Sequence, residues 1–177
     1  MSLDDEARPA ARLTVLAGAS GAGTESVVEL VRARSPSVWT SVPVTTRPRR
    51  PHEVDGVHRH FLTPVEFDRR LAAGELLEWS RLGTHRRGTP VGPLRERLRV
   101  AQPVLLPLDL TGALLVRAAL PNACLVLLHP PGRIPRAARD AGFDHAVPHD
   151  LTERAAAELI GFLGSSFLAP ARPRPRG

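Results

Sequence analysis

The fold is decided by Gly18-Ala-Ser-Gly-Ala-Gly-Thr-Glu-Ser26, a glycine-rich stretch that follows a short apolar run. Its glycines have the spacing of the phosphate-binding motif G-x-x-x-x-G-K-[ST], in which backbone N–H groups surround the phosphates of a nucleotide. The run Leu13–Ala17 predicts a buried strand before the loop, and the apolar residues from Val27 to Val31 predict a helix that ends by Pro36. A strand, a glycine loop and a helix in this order are the context that the motif requires.

The loop departs from the motif at its two chemically active positions. Thr24 stands where a lysine neutralises the outer phosphates, and Glu25 stands where a hydroxyl binds Mg²⁺. Ser26 is not counted as a replacement, because one residue along a helix turns the side chain by about 100°. A strand-to-helix turn that binds nothing therefore competes with a phosphate site. The degenerate loop comprises Gly18, Ser20, Gly21, Gly23, Thr24 and Glu25.

The rest of the chain alternates between strand and helix patterns. Its 177 residues suit one compact domain with an inserted subdomain. Apolar runs predict strands at 103–109 and 123–129, and helical spacing predicts helices at 64–73, 111–120 and 151–163. Strands that alternate with helices predict an α/β fold with a parallel sheet.

The two ends are polar and carry part of the chain's basic charge. Residues 1–11 are predicted to be a flexible tail and 169–177 a disordered Pro/Arg tail, which leaves 12–168 as the folded domain. The 24 basic residues, all arginine, exceed the 18 acidic ones and give a formal charge of +6. This excess is weak support for nucleic-acid binding. Because no secretory signal and no apolar segment of about 20 residues is present, we expect a cytoplasmic protein without a membrane partner.

Two smaller features are better explained by packing than by chemistry. Cys124, the single cysteine, lies in the apolar run Ala123–Leu128 and is predicted to be a buried structural thiol. His58 and His60 would share one face of a strand, but no third ligand accompanies them. We therefore predict no metal site and interpret these histidines as part of a polar, arginine-rich wall.

Four further motifs follow the loop in order and identify a family. They are Val44-Thr-Thr-Arg-Pro-Arg-Arg-Pro-His-Glu-Val-Asp-Gly56, Ala73-Gly-Glu-Leu-Leu-Glu-Trp79, Gly88-Thr-Pro90 and Pro103-Val-Leu-Leu-Pro-Leu-Asp-Leu-Thr-Gly112. Together with the loop, they closely resemble guanylate kinase from about Leu13 to Leu128. Phe143–Val147 and Leu151–Leu163 resemble the family's final strand and helix.

The resemblance implies a P-loop NTPase-like parallel sheet core flanked by helices, at 12–37 and 100–168. An inserted mixed α/β GMP-binding subdomain would occupy about 38–99. The implied activity is Mg²⁺-dependent phosphoryl transfer from ATP to GMP.

Matching positions imply a partly retained GMP site. Arg47 and Arg50 match arginines that bind the GMP phosphate, for which paired guanidinium hydrogen bonds are well suited. Glu78 matches the carboxylate that accepts from the N–H edge of guanine. Thr89 and Asp109 match the hydroxyl and carboxylate that complete guanine selection.

The chain also departs from the family around this site. Two tyrosines that help to bind the GMP phosphate are replaced by Arg59 and Arg87, which we include in the predicted phosphate-binding set. Pro43 replaces a serine and Pro107 an acidic residue. These changes keep positive charge at the phosphate end and alter its geometry.

The family's lid is largely missing. Only residues 132–142 lie between Pro131 and the last predicted strand, which is too short for a lid that covers ATP. Three arginines occur there and are predicted to form a solvated face: Arg133, Arg136 and Arg139.

Three functional hypotheses follow. The leading one is a catalytically impaired guanylate kinase-like protein, with no assigned catalytic residue, that binds GMP, another phosphorylated ligand or a protein partner through its arginine pocket. The alternative is an active guanylate kinase with an atypical donor site, for which ATP and Mg²⁺ would be required. The third is a basic nucleic-acid-binding protein, disfavoured because aromatic residues for base stacking are scarce.

Overall fold

The computed structural model describes residues 13–18, 23–132, 134 and 142–165. Both predicted tails, Ser20 and Gly21 of the loop and the three arginines of the short lid lie outside these residues. The chain divides into a larger unit, Met1–Thr40 with Arg97–Gly177, and a smaller unit, Ser41–Glu96.

The described residues form nine strands and five helices, numbered here in chain order. They are β1 (Leu13–Gly18), α1 (Thr24–Arg34), β2 (Trp39–Thr40), β3 (Val44–Thr45), β4 (His60–Phe61), α2 (Pro64–Ala72), β5 (Leu76–Leu82), β6 (His85–Pro90), α3 (Val91–Arg99), β7 (Val104–Leu108), α4 (Leu110–Ala119), β8 (Cys124–His129), β9 (His145–Pro148) and α5 (Thr152–Ser165).

The larger unit is built on a five-stranded parallel sheet in the order β2-β7-β1-β8-β9. Every residue of β1 is buried, as expected for a central strand covered on both faces. Apolar side chains of α1 and α5 pack on one face around Leu16, Leu105 and Val126. The helix α4 contacts β1 and β7. This architecture confirms the predicted α/β fold with a parallel sheet.

Pro107 lies in a strand that has a neighbour on each side, where proline is normally excluded because it cannot donate a ladder hydrogen bond. Its position explains why it is tolerated. The short strand β2 pairs only with Val104 and Leu105, whereas Pro107 lies opposite Leu16 of β1. The pairing of β2 with β7 therefore ends two residues before Pro107.

The smaller unit contains a four-stranded sheet in the order β4-β3-β6-β5. The strands β5 and β6 form an antiparallel hairpin, β3 is antiparallel to β6, and β4 is parallel to β3. The sequence places the start of this subdomain at about 38. In the structure Trp39–Thr40 pair with β7 instead, so that the smaller unit begins at Ser41.

The helix α2 is fixed at its start by a capping box. The hydroxyl of Thr63 accepts from the Glu66 N–H, the Glu66 carboxylate accepts from the Thr63 N–H, and Pro64 occupies the first turn. Its buried anchor is Phe67, whose ring meets Trp79 edge-on at 6.2 Å. Val65 fits the predicted apolar face but is 77% exposed, because this short helix buries little besides Phe67.

Two further features differ from the sequence predictions, the burial of Cys124 and the presence of the helix α3. Cys124 is half-buried and packs at the margin of the core, because it is the first residue of β8 rather than an interior one. The helix α3 was not predicted, since three of its nine residues are arginine and a proline lies in its first turn. In the described part of the chain, no helix is both long and apolar enough to cross a membrane.

Candidate functional site

One face of the smaller sheet gathers polar residues from three strands. Glu78 of β5 lies opposite Thr89 of β6, Ser80 lies opposite Arg87, and Thr45 of β3 lies opposite Arg87 on its other side. Because side chains two residues apart in a strand share a face, all five belong to the same face of the sheet. We call these five residues the polar face.

The best-defined contact of the polar face is a buried pair. The Thr89 hydroxyl donates to Glu78 Oε1 at 2.6 Å, and the two residues are only 2% and 5% exposed. A buried carboxylate is stable only when donors surround it. Since a carboxylate accepts hydrogen bonds and donates none, Glu78 is suited to a ligand that presents N–H groups.

Gly88 allows β5 and β6 to approach closely beside this pair. A Cβ atom at Gly88 would lie 3.0 Å from both the Glu78 carbonyl oxygen and Leu76 Cδ1. The carbonyl belongs to the backbone of β5 and cannot move aside as the end of a flexible side chain could. Any larger residue at 88 would therefore displace the strand that carries Glu78.

A second cluster is centred on Glu53, a buried carboxylate with arginine contacts. Its Oε1 accepts from Arg47 Nη2 at 2.6 Å and lies 3.6 Å from Arg59 Nε, while its Oε2 accepts from the Arg50 N–H at 2.8 Å. These contacts, the Arg47 hydrogen bond first, lower the pKa of Glu53 to about 2. Glu53 was not predicted as a site residue; the signal in the sequence was an acid that directly follows an arginine-rich segment.

Arg47 is oriented by further contacts. Its N–H donates to the Thr45 hydroxyl at 3.2 Å, its Nη1 donates to the Pro48 carbonyl at 2.7 Å, and its guanidinium carbon lies 5.7 Å from the centre of the Phe61 ring. A guanidinium has five N–H donors in a rigid fork. The contacts to Glu53, Pro48 and Phe61 fix the direction of that fork before any ligand arrives.

The other predicted phosphate-binding arginines differ in exposure. Arg59 joins Arg47 at Glu53 with its side chain 22% exposed. Arg87 is half-buried on the polar face, with its Nε shielded from solvent. Arg50 is exposed, and its backbone rather than its guanidinium contacts Glu53. The structure therefore brings Arg47 and Arg59 to one carboxylate and places Arg87 on the face of Glu78 and Thr89.

Asp109 belongs to the larger unit. It is the N-cap residue of α4, and its Oδ1 accepts from the Gly112 N–H at 2.7 Å. This contact satisfies one of the backbone donors left open at the start of a helix. Asp109 thus has a local structural role in the ligand-free chain, beside its predicted role in guanine selection.

The described part of the glycine loop ends at Gly23, the N-cap of α1, which has a φ of +73° and makes no side-chain cap. A Cβ at Gly23 would lie 2.2 Å from His149 Cε1, so the imidazole occupies the space beside this glycine. Glu25 lies in the first turn of α1, where the helix dipole stabilises a carboxylate. The same dipole would stabilise a bound phosphate, with which Glu25 competes. His149 was not identified from the sequence.

One histidine of the predicted polar wall makes a local contact. His58 Nδ1 accepts from the Val54 N–H at 2.9 Å, which commits that nitrogen to a local turn. Among the residues that the structure describes, no group of three or more His, Cys, Asp or Glu side chains is arranged to hold a metal ion.

Known proteins share both the sequence and the fold. The model of the guanylate kinase family matches residues 10–157. A guanylate kinase of Thermobifida fusca is 55% identical over 120 residues, which cover 68% of this chain and 61% of the relative. One from Streptomyces coelicolor is 45% identical over 155 residues, which cover 88% of this chain and 78% of the relative.

The match to some relatives is partial in length. The aligned segments span 61% and 65% of the guanylate kinases of Thermobifida fusca and Frankia casuarinae. A crystal structure of guanylate kinase from Anaplasma phagocytophilum superposes with a TM-score of 0.71 over 86% of this chain and 84% of that chain, at 21% identity, and so shows the shared fold. The family model, the identities and the common fold establish that this chain belongs to the guanylate kinase family.

Proposed function

We propose that this protein binds GMP through its smaller unit and phosphorylates it slowly with ATP. The observation that carries the proposal is the polar face, which combines the buried Glu78–Thr89 acceptor pair with the guanidinium of Arg87. Thr45, which also belongs to the polar face, accepts from the N–H of Arg47 and so connects this face to the Glu53 cluster. An acceptor of N–H groups and several guanidinium donors suit a guanine base and a phosphate, respectively.

Glu78 gives the proposal its base selectivity. Guanine presents N–H donors at its Watson–Crick edge, whereas adenine presents an acceptor nitrogen there. A buried carboxylate that meets an acceptor keeps its desolvation penalty without a hydrogen bond. Such a loss is worth about 1–3 kcal/mol, or roughly a 5- to 150-fold preference for GMP over AMP.

The arginines would bind the phosphate of GMP. Arg47 has a fixed guanidinium fork, and planar guanidinium groups form paired hydrogen bonds with phosphate oxygens. Arg59 shares the Glu53 carboxylate with it. Arg50 and Arg87 add charge from the same loop and from the polar face.

The names of the relatives support phosphoryl transfer activity, whereas the sequence of the glycine loop argues for a low rate. The similar proteins described above are named guanylate kinases, which favours an active enzyme over the impaired one that the loop sequence suggests. Phosphoryl transfer depends on positioning and on charge stabilisation, and a single stabilising cation can change its rate by about 10³ or more. Because Thr24 and Glu25 supply neither lysine nor hydroxyl, we expect slow turnover. Mg²⁺ would enter with ATP as part of the substrate.

The test measures binding and turnover separately. GMP is titrated calorimetrically, with AMP as the control nucleotide, and GDP formation from GMP and MgATP is followed by chromatography. We expect GMP-selective binding and slow GDP formation. The Arg47→Ala protein, purified identically, controls for a contaminating kinase, since contaminant activity would survive the substitution. Selective binding without GDP would support a non-catalytic GMP-binding protein, and no binding would refute the proposal.

A further inference from the structure

The carboxylate of Glu53 lies where a negative charge is unexpected. Arg47 and Arg59 are assigned to an anionic phosphate under the proposed function, yet both contact a buried acid. By charge alone, Glu53 opposes the binding of any anion beside these arginines. Its burial and its several contacts indicate that it contributes something that offsets this repulsion.

The segment 47–53 is folded around this residue. Both carboxylate oxygens are engaged: Oε1 with the side chains of Arg47 and Arg59, and Oε2 with the backbone N–H of Arg50. The backbone carbonyl of Glu53 also accepts from Arg49 Nη1 at 2.7 Å. One residue thus connects two arginine side chains from separate parts of the chain to the backbone of the loop between them.

Two neighbouring guanidinium groups repel each other, and each side chain is long and flexible. A shared carboxylate removes the repulsion and restricts both side chains to one arrangement. Binding a ligand to an arrangement that already exists avoids the entropy loss of ordering it. Glu53 would therefore strengthen phosphate binding indirectly, by fixing the positions of the Arg47 and Arg59 side chains.

We propose that Glu53 is a positioning residue of the acceptor site, which holds the guanidinium groups of Arg47 and Arg59 together for the phosphate of the bound nucleotide. This inference rests on the proposed binding of GMP. It assigns Glu53 to the phosphate and not to the base. If Glu53 acted only through its charge, neutralising the carboxylate would strengthen GMP binding. If it acts by positioning the arginines, neutralising it would weaken GMP binding.

The experiment compares Glu53→Gln with wild type by calorimetric titration of GMP, guanosine and inorganic phosphate. We expect GMP affinity to fall roughly tenfold, as for loss of an ordered hydrogen bond to a charged group, and guanosine affinity to stay unchanged. Glu53→Asp keeps the charge at a shorter reach and should recover part of the loss. Glu75→Gln removes the same charge from an exposed position of the same unit and should have no effect.

The outcomes are distinct. Tighter or unchanged GMP binding by Glu53→Gln would refute the positioning role, as would an equal loss for GMP and guanosine. If wild type binds phosphate but not GMP, the proposed function fails, and the phosphate affinities of the two proteins still decide the role of Glu53. Binding of neither ligand by wild type refutes both.

Arg59→Gln provides a second route if Glu53→Gln does not fold. It leaves the Arg47–Glu53 hydrogen bond in place and should weaken GMP binding by a smaller factor. Where both single variants fold, the double variant should lose less than the product of the two single losses, because the residues act through one contact. Independent losses that multiply would contradict the proposal.

Discussion

The polar residues of the smaller unit and the glycine loop of the larger unit differ in how completely they match the chemistry of a nucleotide site. The smaller unit contains the buried Glu78–Thr89 hydrogen bond and a carboxylate, Glu53, that contacts both Arg47 and Arg59. The loop keeps its left-handed glycine, Gly23, at the start of α1, but carries Thr24 and Glu25 where the motif has a lysine and a hydroxyl.

This difference shows that backbone geometry and charge are separable properties of a phosphate site. The conformation at Gly23 depends on glycine and on the packing of α1, and neither requires the lysine. The charge depends on the side chains at positions 24 and 25. We therefore expect that the proposed binding of GMP and the proposed transfer of a phosphate to it can be altered independently, and the predictions below test that independence.

The largest effect on the rate of GDP formation should come from restoring the motif residues of the glycine loop. In the double variant Thr24→Lys with Glu25→Ser, we expect GDP formation to rise by about 10²–10³-fold with GMP affinity unchanged, because the phosphates regain a cation and a metal-binding hydroxyl. Initial rates at saturating GMP and MgATP measure it. Glu29→Lys, which adds the same charge one turn along α1, should not raise the rate. An unchanged rate in the double variant would assign the slow step to the predicted shortening of the lid.

Removing the guanidinium of Arg47 should weaken the binding of GMP to the smaller unit. For Arg47→Ala we expect GMP affinity to fall roughly 10- to 100-fold, since hydrogen bonds to a charged group are lost, while guanosine binding is retained. Arg81→Ala is the matched control, because Arg81 is an exposed arginine of β5 and lies opposite Arg86 in the hairpin. Calorimetry with both ligands measures the effect, and a similar loss in the two variants would mean that only overall charge matters.

The buried pair should determine both stability and base selectivity. Thr89→Val preserves the shape of the side chain but removes the donor to Glu78, which lowers the unfolding free energy by about 1–3 kcal/mol and narrows the preference for GMP over AMP. Urea unfolding and nucleotide titrations measure the two effects. Thr84→Val, at the exposed turn between β5 and β6, should change neither. If Thr89→Val kept the full preference for GMP over AMP, the Glu78–Thr89 hydrogen bond would not be needed for guanine recognition.

The smallest effect is a pH dependence. The pKa of Glu53 falls from 4.5 to about 2 in the fold, chiefly through Arg47. The ionised group therefore contributes stability that is fully present above pH 4.5 and is lost as the pH falls toward about 2. Urea unfolding of wild type and Glu53→Gln should show a difference at pH 6 that shrinks below pH 4.5. A difference that stays constant down to pH 2 would contradict this assignment.

Much of the fold could be predicted because local patterns and tertiary packing agree. The strand Leu13–Gly18, the helix after Gly23 and the strands β7 and β8 follow from apolar runs and glycine punctuation. The helix α3 was not predicted, because its two buried leucines, Leu94 and Leu98, are a short apolar signal among three arginines. Val65 was misplaced since periodicity indicates which residues share a helix face, but not how much of that face is covered.

For the site, the sequence indicated residue types and the structure supplied their relations. Arg59 and Arg87 were predicted beside a phosphate from matching positions, and their roles remain predictions. Strand register, which is not encoded by any local motif, places Arg87 on the face of Glu78 and Thr89. Glu53 was missed because a lone acid among arginines is usually a solvated counter-ion, and only tertiary contacts distinguish it from one.

The sequence by itself determined the family, the α/β class and the loss of the donor lysine, because these depend on residue identity and on spacing along the chain. Tertiary structure decided which groups meet. It paired Glu78 with Thr89, joined Arg47 and Arg59 through Glu53, and placed the ring of His149 beside Gly23. These contacts range from six residues apart, for Arg47 and Glu53, to more than a hundred, for Gly23 and His149. The energy of burying and pairing polar groups is fixed only when the surrounding elements are in place.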